Sequence, residues 1–522
     1  MGCHPMSNCA IKERGADRFS HLTILLMLAV MMILLLLLSS IIAGGEAGKG
    51  DSVVVAATFA LNGALGIVFL CKSIADRPFS LVQMHWVFYV TMFVIAPYSQ
   101  YLYGYSTWGY SLSLDDYLVT NVALTLWGAL FAAFSGGGVS NASYDQKAFF
   151  ASLPKISDRA ATVALVCAAA ATVVVVALVG VGNLFSRDAF STDLDKTMGL
   201  LFDKALRPLP VFAFVLLLAR AKQRGKVGPA LLVSLALMIV SCFPAAMARY
   251  NMACIYGAVL LLACSPLFEK KGLFPVLFLV AFLVVFPAAN AYRWETFTLS
   301  MFGEALVGAI GNLSRGFCAV DYDAYSMIAR TLQYVESFGA TGGYQLLGSL
   351  LFFVPRTLWP AKPEGSGNLV CAAQGQTQLN ISSPLPAEGI VNFGIVGLLL
   401  FAIAAALVCR YLDRWFVESE SPLRLFYPFV CLLLFFMMRG DLLSSLAFTS
   451  GYAISFLVLC LVCLGPRAVF DGVRTATGGY SSWLAFTWNL AQPLLGRLHR
   501  LRLACCCPSA RLCVGLQGAW SM

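Results

Sequence analysis

The chain has 522 residues, 59% of them hydrophobic and 12% charged, and a formal net charge of +9. Soluble domains carry roughly 25% charged residues, so the composition excludes an ordinary soluble enzyme and points to an integral membrane protein. The positive charge needs no nucleic-acid partner, because it follows the sidedness of the chain described next.

Apolar segments of about 17 to 24 residues recur, each long enough to cross a hydrocarbon core of about 30 Å as a helix. Lipid offers backbone groups no partner, so the spans must be helical. In chain order they are expected at 22–43, 52–71, 82–103, 117–136, 160–183, 208–220, 228–244, 250–267, 273–290, 390–409, 425–438 and 443–464, about twelve in all. The first, "HLTILLMLAVMMILLLLLSSIIA", is too long for the h-region of a cleaved signal peptide and has no A-x-A-like site after it, so it is expected to be retained.

With residues 1–21 in the cytoplasm, most of the 35 Lys and Arg residues fall on that side, as the positive-inside rule requires. They include Lys12, Arg14 and Arg18, the cluster "RAKQRGK" (220–226), and Arg410, Arg414 and Arg424. The chain then divides into nine spans over 22–290, a large extracytoplasmic loop at 291–389, three spans over 390–464, and a basic cytoplasmic tail at 465–522 suited to an anionic leaflet. Among the shorter outer connections, 184–207 is long enough for an amphipathic helix on the membrane surface. Most of the 17 cysteines fall in spans or cytoplasmic ends, where thiols stay reduced. Cys318 and Cys371 lie in the long loop, either as a disulfide or as two independent thiols.

Loops as long as 291–389 usually carry function. Within it, "YQLLGSLLFFVP" (344–355) is too short to cross and suits a re-entrant or interfacial segment. Pro355 ends any helix, and Pro360 and Pro363 keep the following chain extended. The stretch "FFVPRTLWPAKPEG" (352–365) would therefore hold Arg356, Trp359 and Lys362 at headgroup depth, either as snorkelling cations with an interfacial Trp or as ligand-binding groups.

Arg249 ("FPAAMARYN"), Arg293 ("NAYRWE") and Arg439 with Asp441 ("FFMMRGD") end spans on the same outer face. Basic residues there run against the charge bias. An arginine fork matches phosphate oxygens, so the diphosphate headgroup of a lipid-linked molecule is the natural ligand. The alternative for each is a salt bridge, Arg439 with Asp441 or Arg293 with Glu295. "NISSPLPAEGIVNFG" (380–394) places Glu388 at the mouth of the tenth span. A carboxylate at that low-polarity edge is either a candidate general base or a helix N-terminal charge favoured by the dipole. Asp115 and Asp116 ("LSLDDYL") are turn acids or a catalytic pair. The four His residues, at 4, 21, 85 and 499, leave none in the loop. No zinc-spaced Cys/His cluster or P-loop occurs, so neither a metal nor ATP or another cofactor is expected.

An apolar run, "VPRTLWPAKPEG", a polar interval, "SSPLPAEGIVNFGIVG" and a further helix together resemble the large outer loop and following span of bacterial Wzy-type polymerases of O-antigen or exopolysaccharide repeat units. The match covers about 345–400 closely and 20–465 more loosely. The resemblance implies an all-α, GT-C-like polytopic glycosyltransferase of the bacterial inner membrane, metal-independent, with both termini cytoplasmic. Its substrates would be undecaprenyl-diphosphate-linked oligosaccharides among membrane lipids, with a chain-length regulator and a flippase as candidate partners. Arg356, Lys362 and Glu388 fall in matching motif positions, whereas Arg249, Arg293 and Arg439 come from charge placement. Competing readings are an O-antigen ligase, whose outer loop typically carries a histidine absent here, and a lipid-linked-oligosaccharide flippase, which would favour charges within the spans. A polyprenyl-phosphate-sugar transferase using Asp115 and Asp116 is a third.

Overall fold

The computed structural model describes residues 52–136, 144–184, 196–288, 299–311, 313–377 and 381–477. The expected span 22–43, Arg293 with Glu295, and the tail beyond 477 lie outside these residues. Among the described residues all regular structure is helical, and a helix stands at each remaining expected span. Among the described residues seven helices are long and apolar enough to cross a membrane: Val53–Asp76, Leu81–Leu102, Leu114–Ser135, Asp158–Val179, Leu385–Glu418, Pro422–Arg439 and Leu442–Phe470. Leu209–Arg224, Pro229–Ser241, Arg249–Ala263 and Leu273–Ala288 are shorter.

Helix Leu81–Leu102 is central, with Trp86, Tyr89 and Phe93 enclosed by its neighbours. Val53–Asp76, Leu114–Ser135 and Asp158–Val179 each bury one face and leave valines and leucines such as Val54, Leu61, Val122 and Val173 exposed, an outer surface suited to lipid. Several polar groups between the helices pair with one another. The Tyr89 hydroxyl donates to Asn62 Oδ1 at 2.8 Å and to the Leu124 carbonyl at 2.9 Å, and Asn62 Nδ2 donates to the Asn121 carbonyl at 3.0 Å. These bonds satisfy buried groups that lipid cannot.

Three prolines follow the same local rule. Pro97, Pro208 and Pro287 cannot donate to the i−4 carbonyl, and their rings would strike it. Each is preceded by a π turn, at Thr91–Ile95, Phe202–Leu206 and Ala281–Val285, whose extra residue moves that carbonyl aside. Of the connection 184–207, expected to be long enough for an amphipathic helix on the membrane surface, residues 185–195 lie outside the described residues, and Lys196–Leu201 and Phe202–Leu206 are helical. Lys204 and Arg207 are buried; both pair with Asp203, at 2.7 and 3.0 Å, and Lys204 donates to the Tyr250 hydroxyl at 2.9 Å.

One end of the bundle is closed by Asp413. This buried carboxylate accepts from the backbone N–H groups of Leu81 at 2.8 Å and Val82 at 3.4 Å, at the start of the central helix, and from the Tyr427 hydroxyl, with Arg77 at 3.5 Å. An acid at a helix N-terminus is favoured by the helix dipole.

The described part of the segment 291–389 gathers at the other end and is folded rather than extended. It forms helices Leu299–Gly311, Ala324–Phe338, Tyr344–Leu350 and Ser366–Ala373. Gln100, near the end of the central helix, donates to the carbonyls of Phe317 at 2.9 Å and Tyr322 at 3.1 Å and so anchors it. Of the expected re-entrant segment 344–355, only Tyr344–Leu350 is helical, followed by turns.

Residues Leu385–Glu418 are interrupted at Phe393 (φ −141°) and Gly394 (φ 63°, ψ −146°). A Cβ added at Gly397 would lie 1.9 Å from the Gly389 carbonyl oxygen, and one at Gly389 would lie 2.5 Å from that of Gly397. In a continuous helix, residues eight apart are about 12 Å apart along the axis. Residues 385–392 are therefore a separate short helix folded back on the longer one. Its last carbonyls, of Val391 and Asn392, accept from the N–H groups of Thr341 at 2.9 Å and Gly343 at 3.2 Å. Asn392 Oδ1 accepts from the Leu346 N–H at 2.8 Å. The backbone groups freed by the break thus find partners. Glu388 consequently sits on this folded-back helix rather than at the mouth of a continuous span, and the expected boundary at 389/390 falls inside it.

Candidate functional site

The site is built on the turn Asp321–Tyr322–Asp323, which leads into helix Ala324–Phe338. Tyr322 is buried edge-on against Phe282 and Phe317, which fixes the acids on either side of it. Asp323 is fully buried. Its Oδ1 accepts from Arg439 Nη2 at 2.9 Å and from Ser382 Oγ at 2.7 Å, and its Oδ2 accepts from Trp108 Nε1 at 2.9 Å. Trp108 holds φ 56°, a costly left-handed conformation for a bulky residue. Asp321 accepts from Arg249 Nη2, 2.9 Å from each carboxylate oxygen. Arg249 also donates to the Phe286 carbonyl at 3.1 Å and stacks on that ring at 4.2 Å. Two arginines from separate helix ends thus meet neighbouring carboxylates of one turn.

They are held differently. The Arg249 side chain is 12% exposed, whereas that of Arg439 is 31% exposed. Nε of Arg439 has no partner among the described residues, and neither do the buried hydroxyls of Ser445 and Thr449 on the last helix.

Arg439 leads through Gly440 and Asp441 into that last helix, Leu442–Thr477. Asp441 Oδ1 accepts from the Ser444 N–H at 2.9 Å. Glu388, fully buried, accepts from the Leu442 N–H at 2.9 Å and from Ser366 Oγ at 2.7 Å. Both acids therefore satisfy free N–H groups at a helix start, where negative charge is favoured. Of the two roles open to Glu388, a helix-end charge describes its present contacts.

Of the residues expected from sequence, the structure brings Arg249, Arg439, Asp441 and Glu388 together around the 321–323 and 439–442 turns. The Arg439–Asp441 pair given as the alternative does not form: Asp441 is engaged at Ser444 and Arg439 reaches Asp323. Arg293 lies outside the described residues. Arg356, Lys362 and Trp359 occupy the neighbouring loop and mostly bind within it. Arg356 donates to the carbonyls of Lys362 at 2.6 Å and Pro363 at 3.3 Å, and Lys362 Nζ to those of Phe352 at 2.5 Å and Val354 at 3.0 Å. Partial burial, then the adjacent Arg356 charge, pulls the Lys362 ammonium pKa down. Trp359 meets Tyr344 edge-on at 5.9 Å. This loop runs into Gly365, packed against Asp441, and Ser366, bonded to Glu388.

Asp116 forms a capping box with Ser113 and accepts from Gln333 Nε2 at 2.8 Å, the contacts of a helix-start acid. Cys318 and Cys371 are free thiols. Sequence reasoning missed Asp321 and Asp323, although "VDYDAY" immediately before an amphipathic run is a recognisable helix-start signature. Comparison with protein-family models, curated proteins and solved structures finds no match for this chain.

Proposed function

We propose that the chain polymerises oligosaccharide repeat units carried on undecaprenyl diphosphate, at the outer face of the bacterial inner membrane. On this reading it is a GT-C-like enzyme of about twelve spans, the shorter apolar helices crossing as well, with both termini cytoplasmic. The observation that carries the reading is the state of Arg439. One nitrogen is fixed by buried Asp323 while a third of the side chain stays exposed, and Arg249 is held alongside on Asp321.

A sugar on a lipid diphosphate already has a good leaving group, so catalysis mainly requires a preorganised cation and an oriented acceptor. The acceptor hydroxyl oxygen attacks the anomeric carbon as the bond to the diphosphate oxygen breaks. The electron pair leaves on the diphosphate, whose growing charge Arg439 and Arg249 stabilise. The hydroxyl proton passes to Glu388, which exchanges its bond with Ser366 for one with the acceptor. Arg356, Lys362, Trp359, Asp441 and Arg293 would contribute to binding the lipid-linked substrate around this centre.

Deleting the gene and resolving the surface and secreted polysaccharide on a gel beside a core-specific stain tests the reading. A polymerase predicts loss of the ladder with a single repeat unit still attached to its acceptor. Loss of every unit from the surface, with lipid-linked units accumulating, would assign the chain to ligation or flipping instead.

A further inference from the structure

Arg330 lies seven residues after Asp323 on helix Ala324–Phe338, and at 3.6 residues per turn that spacing returns it to nearly the same face. It is fully buried, one of the largest side chains in the protein with essentially no exposure. Its Nε donates to Gln374 Oε1 at 2.7 Å, and Gln374 Nε2 returns a bond to the Arg330 carbonyl at 3.0 Å. The guanidinium stacks on the ring of Tyr110 at 4.6 Å. Neither Nη1 nor Nη2 has a hydrogen-bond partner among the described residues. Arg330 takes no part in the ion pairs formed among those residues, unlike Arg249 and Arg439, which pair with Asp321 and Asp323 of the turn that leads into the same helix.

A buried cation with no counter-charge is among the most expensive arrangements a protein can hold. The neighbouring arginines show that this region supplies carboxylates where a structural pair is wanted. At Arg330 the described residues supply instead an aromatic face and one amide that fixes the plane of the guanidinium, and they leave two nitrogens side by side whose four N–H donors have no partner among them. That fork matches the paired oxygens of a carboxylate or phosphate. The covering groups lie outside regular helix: Tyr110 in the connection between Leu81–Leu102 and Leu114–Ser135, and Gln374 just past Ser366–Ala373. Both are half-buried, so the groups that hold the guanidinium lie near the protein surface rather than deep in the helix bundle. A cavity of about 10 Å³ borders the same Tyr110 ring, together with Thr107, Tyr325 and Ser326, and has room for about one water.

We propose that Arg330, oriented by Gln374 and backed by Tyr110, is an oxyanion-binding site that takes a carboxylate or phosphate group of a ligand. A sugar acid or the phosphate of a lipid-linked carrier would each supply that group. The site stands on its own geometry and does not depend on the reaction assigned above.

The test uses the full-length protein purified in detergent and its melting temperature, with sodium glucuronate and inorganic phosphate as probes and glucose and sodium chloride as controls. The expected result is a saturable rise of several degrees with glucuronate, with phosphate, or with both, and none with the controls. The stronger probe identifies the source as sugar acid or phosphate. Arg330→Met should melt no lower than the parent without probe, because an apolar chain of similar length replaces an uncompensated charge, and it should lose the rise. Arg330→Lys keeps the charge but not the fork, and should bind at least tenfold more weakly; it decides the matter if the methionine variant does not accumulate. The proposal is overturned if neither probe gives a saturable rise, if the rise survives in Arg330→Met, or if Arg330→Lys binds as tightly as the parent. Because no polysaccharide is read, a failure here is separable from a failure of the polymerase assignment.

Discussion

Nη2 of Arg439 lies 2.9 Å from Oδ1 of Asp323, joining residues 116 positions apart, one at the end of a helix and the other on a turn in the long connection. Asp323 also receives Ser382 and Trp108, so four chain segments meet at one carboxylate. Asp323→Asn should destabilise the protein by about 2 kcal/mol, less than a fully buried pair would lose because part of Arg439 faces solvent. Thermal or denaturant unfolding in detergent measures it. In a double-mutant cycle with Arg439→Gln the two losses should fall well short of adding; simple additivity would show that the pair is not coupled.

Gly397→Ala should abolish accumulation of folded protein. The new methyl would sit 1.9 Å from a backbone carbonyl oxygen, which has no rotamer to yield, and overpacking of that kind is not relieved locally. Gly303→Ala, with nothing within 4 Å of the added carbon, is the control and should accumulate normally in the membrane fraction.

Most helices were legible in the sequence because a run of apolar residues is a local signal with a fixed length requirement. The fold-back at 393–394 was not, although Gly389, Gly394 and Gly397 mark it in retrospect. The apolar run continues through the break, and only the partners of Val391 and Asn392 in the preceding loop make the break affordable. At the site, sequence placed Arg249, Arg439, Glu388 and Asp441 at one end but offered, as the alternative to a ligand for Arg439, only its near neighbour Asp441. Helix capping by Asp441 was the stronger local demand, and the true partner lay in a distant segment. Arg330 escaped notice because, without its surroundings, an arginine on an amphipathic helix is indistinguishable from a solvated one.

Glu388→Gln retains an amide oxygen for the Leu442 N–H and should leave stability within about 1 kcal/mol, whereas Glu388→Ala leaves that N–H and Ser366 unpaired and should cost roughly 1–3 kcal/mol. On the proposed mechanism, polymer formation should fall at least a hundredfold in Glu388→Gln at equal protein abundance, in line with loss of a general base. Gel analysis of polysaccharide beside an immunoblot measures both. Normal polymer in Glu388→Gln would leave the residue with its helix-capping role alone.

Burial pushes the Cys318 thiol pKa up to about 11, against the opposing charge of Arg315. The thiolate is the reactive form, so it is on the order of one part in a thousand at pH 8, and alkylation should accelerate about tenfold per pH unit from pH 7 to 10. Mass spectrometry after timed iodoacetamide treatment measures the rate. A rate that levels off below pH 9, or recovery of Cys318 linked to Cys371, would contradict the geometry.

The most direct measurement reconstitutes the purified protein in liposomes with undecaprenyl-diphosphate-linked repeat units and follows chain length on a gel over time, with Arg439→Gln and Asp323→Asn in parallel. Polymerase activity predicts a ladder that lengthens with incubation, and strong loss of that ladder in Arg439→Gln while the protein remains folded. Units that cross the bilayer or pass to another acceptor without ever being joined to one another would contradict it.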